Sequence, residues 1–167
     1  MVGYADEVDI HLDPKIGPDW MLPGMQRLVI TPGNNEKRYL AGAYEPLRGR
    51  LVYVEGERKA SLLFLNLLRA LLERYRGAKT IHMILDNYII HKGRVAQAWL
   101  TEFGGKLRLR FLPPYCPNEN RIERLWLDLH VNVTRNNRQK PIAALLQRVH
   151  GYLAERFDTK RRVLRAA

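Results

Sequence analysis

Three acidic side chains occupy positions where a carboxylate is costly unless something positive compensates it: Asp6, Asp86 and Glu123. Residues 2–12 alternate, so Val2, Tyr4, Asp6, Val8, Ile10 and Leu12 share one face of a strand, and Gly3, Ala5, Glu7, Asp9 and His11 the other. Asp6 therefore stands in line with apolar neighbours, which calls for a cation or an arginine partner. Asp86 closes the apolar run 80–85, which reads as a buried strand, and ligand sites of α/β sheets gather at such C-terminal strand ends. Glu123 lies one residue off the stripe Ile122, Leu125, Trp126 and Leu129 of a helix expected over 118–133, so it can face the sheet edge. Helix geometry alone leaves Glu119, one turn earlier, equally eligible. Clustered carboxylates repel one another and invite a hard cation such as magnesium, which keeps positions for phosphate oxygens. Two such ions about 4 Å apart can serve the attacking and leaving oxygens of a phosphodiester exchange.

Charge points to the same chemistry. The net charge is +11. Residues 1–86 carry 12 basic and 11 acidic side chains, whereas residues 87–167 carry 16 and 6. The excess in the second half favours a polyanionic partner, most simply nucleic acid. The single cysteine, Cys116, rules out an internal disulfide, and the five histidines lack zinc-ligand spacing. The leucine-rich stretch 61–72 is interrupted by Asn66 and Arg69 and is too short for a membrane span. No leader-like segment opens the chain. The expectation is a soluble, cytoplasmic, nucleoid-associated protein of one domain over residues 1–167.

The elements that must hold these acids follow from periodicity. A hairpin is expected from 37–44 and 50–55 around a turn at 46–49, then a helix over 59–76. The strand ending at Leu85 precedes a helix over 93–103 with Val95, Trp99 and Phe103 on one face. A strand over 107–112 ends at Pro113-Pro114. After the Glu123 helix comes a last helix over 141–157, then a mobile basic tail with Lys160, Arg161, Arg162 and Arg165. The segment 13–35 reads as a loop with a short strand at 28–31. Three strands followed by alternating helices and strands describe an α/β fold with a mixed five-stranded sheet flanked by helices. Trp20, Trp99 and Trp126 are expected in the core rather than as base-stacking platforms, although the place of Trp20 in the loop 13–35 also allows exposure.

Two stretches carry a resemblance. From Leu85 the sequence reads LDNYIIH, and from Phe111 it reads FLPPYCPNENRIERLW. Together they resemble the mariner-like bacterial insertion-sequence transposases of the DDE superfamily. Upstream, YADEVDIHLDPKIGPDWMLPG is similar to that family's first catalytic block, and KRYLAGA with GRLVYV to its hairpin. The resemblance implies an RNase H-like fold, with Asp6, Asp86 and Glu123 as the ligands of two Mg2+ ions, for which Mn2+ substitutes. It thereby selects Glu123 over Glu119. It implies cleavage of double-stranded DNA at transposon ends, then attack of the freed 3′-hydroxyl on target DNA, by a homodimer.

Other positions acquire expected roles. Asn87 and His91 are candidates for shaping the site, and Tyr115 and Asn120 for fixing the loop before Glu123. Arg121, Arg124, Arg135, Arg138 and Lys140 are candidates for contacting DNA phosphate. Glu7 is a spare acid whose face suggests a polar partner rather than metal. Cys116, Asn118, Glu119 and Arg121 depart from the family pattern in the loop and turn that aim Glu123. The helix-turn-helix modules that the family places before its catalytic domain do not precede the first strand here, so weak binding of transposon ends by this chain alone is expected. Two rival functions follow: a catalytically silent DNA-binding remnant, and an RNase H-like nuclease acting on RNA–DNA hybrids, which the Pro-Pro-Tyr to Leu-Trp block disfavours.

Overall fold

In the computed structural model, residues 1–18, 20–25, 28–29, 33, 35–113, 119–138 and 141–163 are described, with backbone alone for 160–163. Strand β1 (Val2–His11) runs antiparallel to β2 (Lys37–Glu45), which pairs antiparallel with β3 (Arg50–Gly56). The turn between β2 and β3 is a short 3-10 helix, Pro46–Arg48, closed by Gly49 at a φ of 60°. A left-handed residue at that position is most cheaply glycine. Helix α1 (Ser61–Arg74) then crosses to β4 (Ile81–Leu85), which lies parallel to β1. The short helix α2 (Ile89–Lys92) and α3 (Arg94–Phe103) lead to β5 (Leu107–Phe111), parallel to β4. Helices α4 (Arg121–Leu129) and α5 (Ile142–Arg156) follow, and β6 (Asp158–Val163) completes the sheet. The strand order is β5-β4-β1-β2-β3-β6.

The two faces of this sheet are covered by different helices. On one, Leu63, Phe64, Leu67, Leu68 and Leu71 of α1 and Ala96 and Trp99 of α3 pack on Ala5, Val52, Met83 and Leu85. On the other, Ile122, Trp126 and Leu129 of α4 and Leu145 and Val149 of α5 pack on Val8, Ile10, Leu40 and Tyr53. Each large apolar side chain so buried contributes roughly 1.5–3 kcal/mol before chain entropy is counted. The alternation of β1 decides the site: its even residues point to α4 and its odd residues to α1.

Four expectations are corrected. The sheet has six strands, not five, because the chain after α5 is no loose tail: β6 pairs parallel with the open edge of β3. Asp158 anchors it, accepting from Arg50 at 3.0 Å and Arg74 at 2.6 Å. In α3 the buried face is Ala96 and Trp99, which pack with the leucines of α1, whereas Val95 and Phe103 are exposed. The helix expected over 118–133 is α-helical only to Leu129 and continues as a π-helical turn, His130–Thr134, where His130 Nδ1 lies 2.7 Å from Thr134 Oγ1. Leu28 and Val29 belong to no strand, and the rest of that expected strand lies outside the described residues. Trp99 and Trp126 are in the core, and Trp20 is exposed.

Candidate active site

Strand register brings the first two acids side by side. Tyr4 is paired with Ile84, and Asp6 and Asp86 each lie two residues further along their parallel strands. Asp6 points to the α4 face, where Val8 and Ile10 are buried beside Ile122 and Trp126. Glu123 is on α4 itself, partly buried in the first turn.

Helix α4 is held against the sheet by one contact to β1 and one to β2. Asn120, buried at the N-terminus of the helix, donates from Nδ2 to the Ala5 carbonyl at 3.2 Å, next to Asp6. Gly42 is the cross-strand partner of Asp6, and a Cβ there would meet Trp126 at 2.6 Å. The bare backbone at Gly42 therefore sets how closely α4 approaches the sheet. The run of small residues in KRYLAGA was the sequence signal for this close approach.

Asp86 acts on both of the other acids. Burial pushes the Asp6 carboxyl up to about 7, and the charges of Glu7 and Asp86 add to the rise. Burial, then the charge of Asp86, raises Glu123. Asp86 lies within electrostatic reach of both. It is itself held low, first by a hydrogen bond from His91 and also by the Tyr88 amide. Both of these contacts use Oδ1: His91 Nδ1 lies at 3.1 Å and the Tyr88 N–H donates at 3.1 Å. Burial alone would lower His91, but its bonds to Asp86 and Glu7 outweigh that and raise it to about 9. Among the described residues, no three His, Cys, Asp or Glu side chains stand close enough together to hold a metal ion in this arrangement. The chemistry of the donors nonetheless fits a divalent cation: they are hard oxygen ligands, two of them driven toward their neutral forms by burial and mutual repulsion.

The remaining candidates separate. Asn87 donates to the Leu112 carbonyl at 2.5 Å and accepts from Lys92 at 2.5 Å, tying the ends of β4 and β5 together beside Asp86. His91 is buried directly behind Asp86. Arg121 and Arg124 are exposed on α4 and line a groove of about 680 Å³ with Tyr44, Glu119 and Phe157, and Arg121 also lies 5.8 Å above the Tyr4 ring. Arg135 is away from this group. It bridges to Lys15, and its side chain fills the space where a Cβ on Gly17 would sit. Arg138 is exposed. Tyr115 and Lys140 lie outside the described residues. The polar partner expected for Glu7 is His91, with Lys59 Nζ 3.5 Å away. The part played by Lys59 had no signature in the sequence.

A mixed sheet with one acid midway along β1, a second just past the end of the adjacent parallel strand β4, and a third on a helix over the same face has the arrangement of the RNase H-like class. The family model of the DDE superfamily endonucleases matches residues 1–145, and the chain belongs to that family. It is 51% identical over 152 residues to an insertion element IS630 uncharacterized 39 kDa protein of Shigella sonnei, covering 91% of this chain and 44% of that protein. The chain thus spans about half the length of the curated relative it matches. Its fold is similar to a crystal structure of the Mos1 mariner paired end complex with Mn, at a TM-score of 0.71 and 16% identity, over 94% of this chain and 49% of that one. The catalytic domain of Mos1 mariner transposase gives a TM-score of 0.62 at 16% identity, over 94% of this chain and 71% of that one. The resemblance to mariner-like insertion-sequence transposases is thereby borne out, as is the RNase H-like fold. No helix among the described residues is long and apolar enough to cross a membrane.

Proposed function

We propose that this chain is the catalytic domain of a transposase, cutting and joining double-stranded DNA with divalent cations held by Asp6, Asp86 and Glu123. The observation that carries the reading is geometric: β1 and β4 pair in parallel with Tyr4 opposite Ile84, so Asp6 and Asp86 fall at matching positions, and Asn120 ties the start of the Glu123 helix to the Ala5 carbonyl beside Asp6. The bound cations would supply activation of the attacking oxygen and neutralisation of charge at phosphorus. This chain's residues do the rest. Asn120 and Gly42 set the height of Glu123 over Asp6. Arg121 and Arg124 offer charge to the phosphate backbone along the groove on the outer side of α4. In each step an oxygen, first of water and then of a 3′-hydroxyl, attacks phosphorus, and a phosphodiester P–O bond breaks. Two transposon ends must be brought together, so the working form is a homodimer bound to end and target DNA. The relatives solved with transposon-end DNA, with Mn and with Mg support the partner and the ions.

A second reading, a DNA-binding domain without catalysis, is favoured by one observation: among the described residues, no three His, Cys, Asp or Glu side chains are gathered closely enough to hold an ion as they stand. Cleavage separates the two. Glu123→Gln and Asp86→Asn are expected to lower Mn2+-dependent nicking of duplex DNA by at least about 100-fold, on the scale of removing one preorganised electrostatic group, while leaving duplex binding within a factor of two or so. Wild-type binding with no nicking in Mn2+ would select the silent reading, and metal-independent nicking would overturn the assignment of the three acids as cation ligands.

The groove makes its own prediction. Each phosphate contact removed flattens the dependence of log affinity on log salt by about one unit. Arg121→Ala with Arg124→Ala is expected to flatten it by about two and to weaken binding equally for all sequences. A slope unchanged in this double variant would place the DNA elsewhere.

A further inference from the structure

Behind Asp86, on the α1 side of the sheet, lies a buried polar cluster that the proposed reaction does not use. Glu7 follows Asp6 on β1 and so points to the opposite face. Its side chain is 2% exposed and that of His91 is 1% exposed. His91 Nε2 lies 3.0 Å from Glu7 Oε1, and His91 Nδ1 lies 3.1 Å from Asp86 Oδ1. The ring packs on Phe64 with centroids 4.5 Å apart. Lys59 sits 3.5 Å from Glu7 Oε2 and 4.5 Å above the Tyr88 ring.

A buried carboxylate needs a cationic or donor partner. For Glu7 that partner is the His91 ring at Oε1, since Lys59 approaches Oε2 to 3.5 Å without a hydrogen bond. Charge balance at Glu7 does not require the second ring nitrogen to face Asp86. It lies 3.1 Å from Asp86 Oδ1 and 3.4 Å from the Asp86 carbonyl oxygen. Together with the Tyr88 amide it occupies Oδ1. These two contacts fall on one oxygen of Asp86, whose side chain is 50% exposed.

We propose that Glu7 is a positioning residue of the site, acting through the buried His91 ring to fix the Asp86 carboxylate so that one oxygen is held and the other stays available to a divalent cation. The proposal rests on the reading of Asp86 as a ligand. It goes further by assigning a role to the acid on the far side of the sheet. Partners that orient a ligand typically change metal affinity 10- to 100-fold when removed.

The test is Mn2+ binding to the folded full chain, read from the loss of the free-ion paramagnetic resonance signal at fixed pH, with circular dichroism to check folding. His91→Phe keeps the ring volume against Phe64 but removes both nitrogens. It is expected to weaken Mn2+ binding about tenfold. Loss of a neighbouring cation would by charge alone tighten binding, so the sign separates orientation from electrostatics. Glu7→Leu is expected to weaken binding by a similar factor, and Glu7→Gln, which keeps an acceptor for His91, to restore most of it. The double variant Glu7→Leu/His91→Phe replaces the pair by apolar groups, an exchange that buried ion pairs often tolerate. Because the two residues act in series, it should bind about as weakly as either single variant. Binding that is unchanged or tighter in His91→Phe, or a double variant whose loss is the product of the single losses, overturns the proposal. Asp86→Asn distinguishes the underlying reading. If it binds Mn2+ like wild type, or if wild type does not bind, both fail. If it alone abolishes binding while His91→Phe and the double variant bind normally, only the positioning role fails.

Discussion

Asp6→Asn is expected to raise the melting temperature of this chain at pH 8 and to do so progressively less as the pH falls toward 4. The Asp6 carboxyl titrates near 7 in the folded chain, against about 3.9 in an unfolded one. Between these values the folded state keeps a proton that the unfolded state has released. Stability therefore falls as pH rises through this window, and the loss is complete above about pH 7. Three pH units correspond to about 4 kcal/mol at most, which for a chain of this size is roughly 8–16 °C in melting temperature. Asparagine carries no such penalty. Despite its burial, His91 is raised as well, because its charged form is the one that Asp86 and Glu7 favour. Its titration, raised to about 9, contributes stability that is present below about 6.5 and lost as pH rises through 9. That contribution is common to both chains and cancels in the difference between them. A difference in melting temperature that does not change between pH 4 and pH 8 would refute the account. Mn2+ adds a second readout, because an ion that binds only the folded state raises its melting temperature. It should stabilise wild type above pH 7, where Asp6 is ionised, and have little effect on Asp6→Asn.

Gly42→Val should be among the most damaging single changes on the α4 side of the sheet. A Cβ at Gly42 would lie 2.6 Å and 2.8 Å from the Trp126 ring and 3.2 Å from Ile122 Cδ1. Trp126 is buried and planar, so it cannot swing away. The helix must lift or the strand must bow. Overpacking of this kind costs about 1–3 kcal/mol, and here the cost falls on the element that carries Glu123. Gly42 is also the partner of Asp6 across the β1–β2 pair, so a bowed strand moves the first acid as well. The expected result is a lowered melting temperature together with at least about tenfold weaker Mn2+ binding. Pairing it with Trp126→Leu, which removes the obstructing ring, should recover part of both losses. Two changes that simply add would show that the contact does not set the helix height.

Much of this site is legible in the order of residues. The alternation of 2–12 puts Asp6 and Glu7 on opposite faces, because side chains along a strand repeat every two residues. The acid after the apolar run 81–85 is local too, as is the α4 stripe that leaves Glu123 beside buried neighbours. Local geometry could not separate Glu123 from Glu119. The resemblance to a family did so, and the structure adds that Glu123 senses Asp86.

Other features were not legible because they depend on register between segments far apart in the chain. Glu7 and His91 meet across 84 residues and Asn120 and Ala5 across 115. No periodicity within one element encodes which pair will face. The basic stretch 160–162 has no apolar alternation, so it reads as a tail. It becomes strand β6 only because β3 leaves an edge of unpaired backbone groups, and Arg50 and Arg74 wait there for Asp158. Patterns of two and of three to four residues thus determine the elements and their buried faces. Which faces meet, and at what height, is decided by packing: a missing side chain at Gly42, one amide from Asn120, and a histidine between two carboxylates.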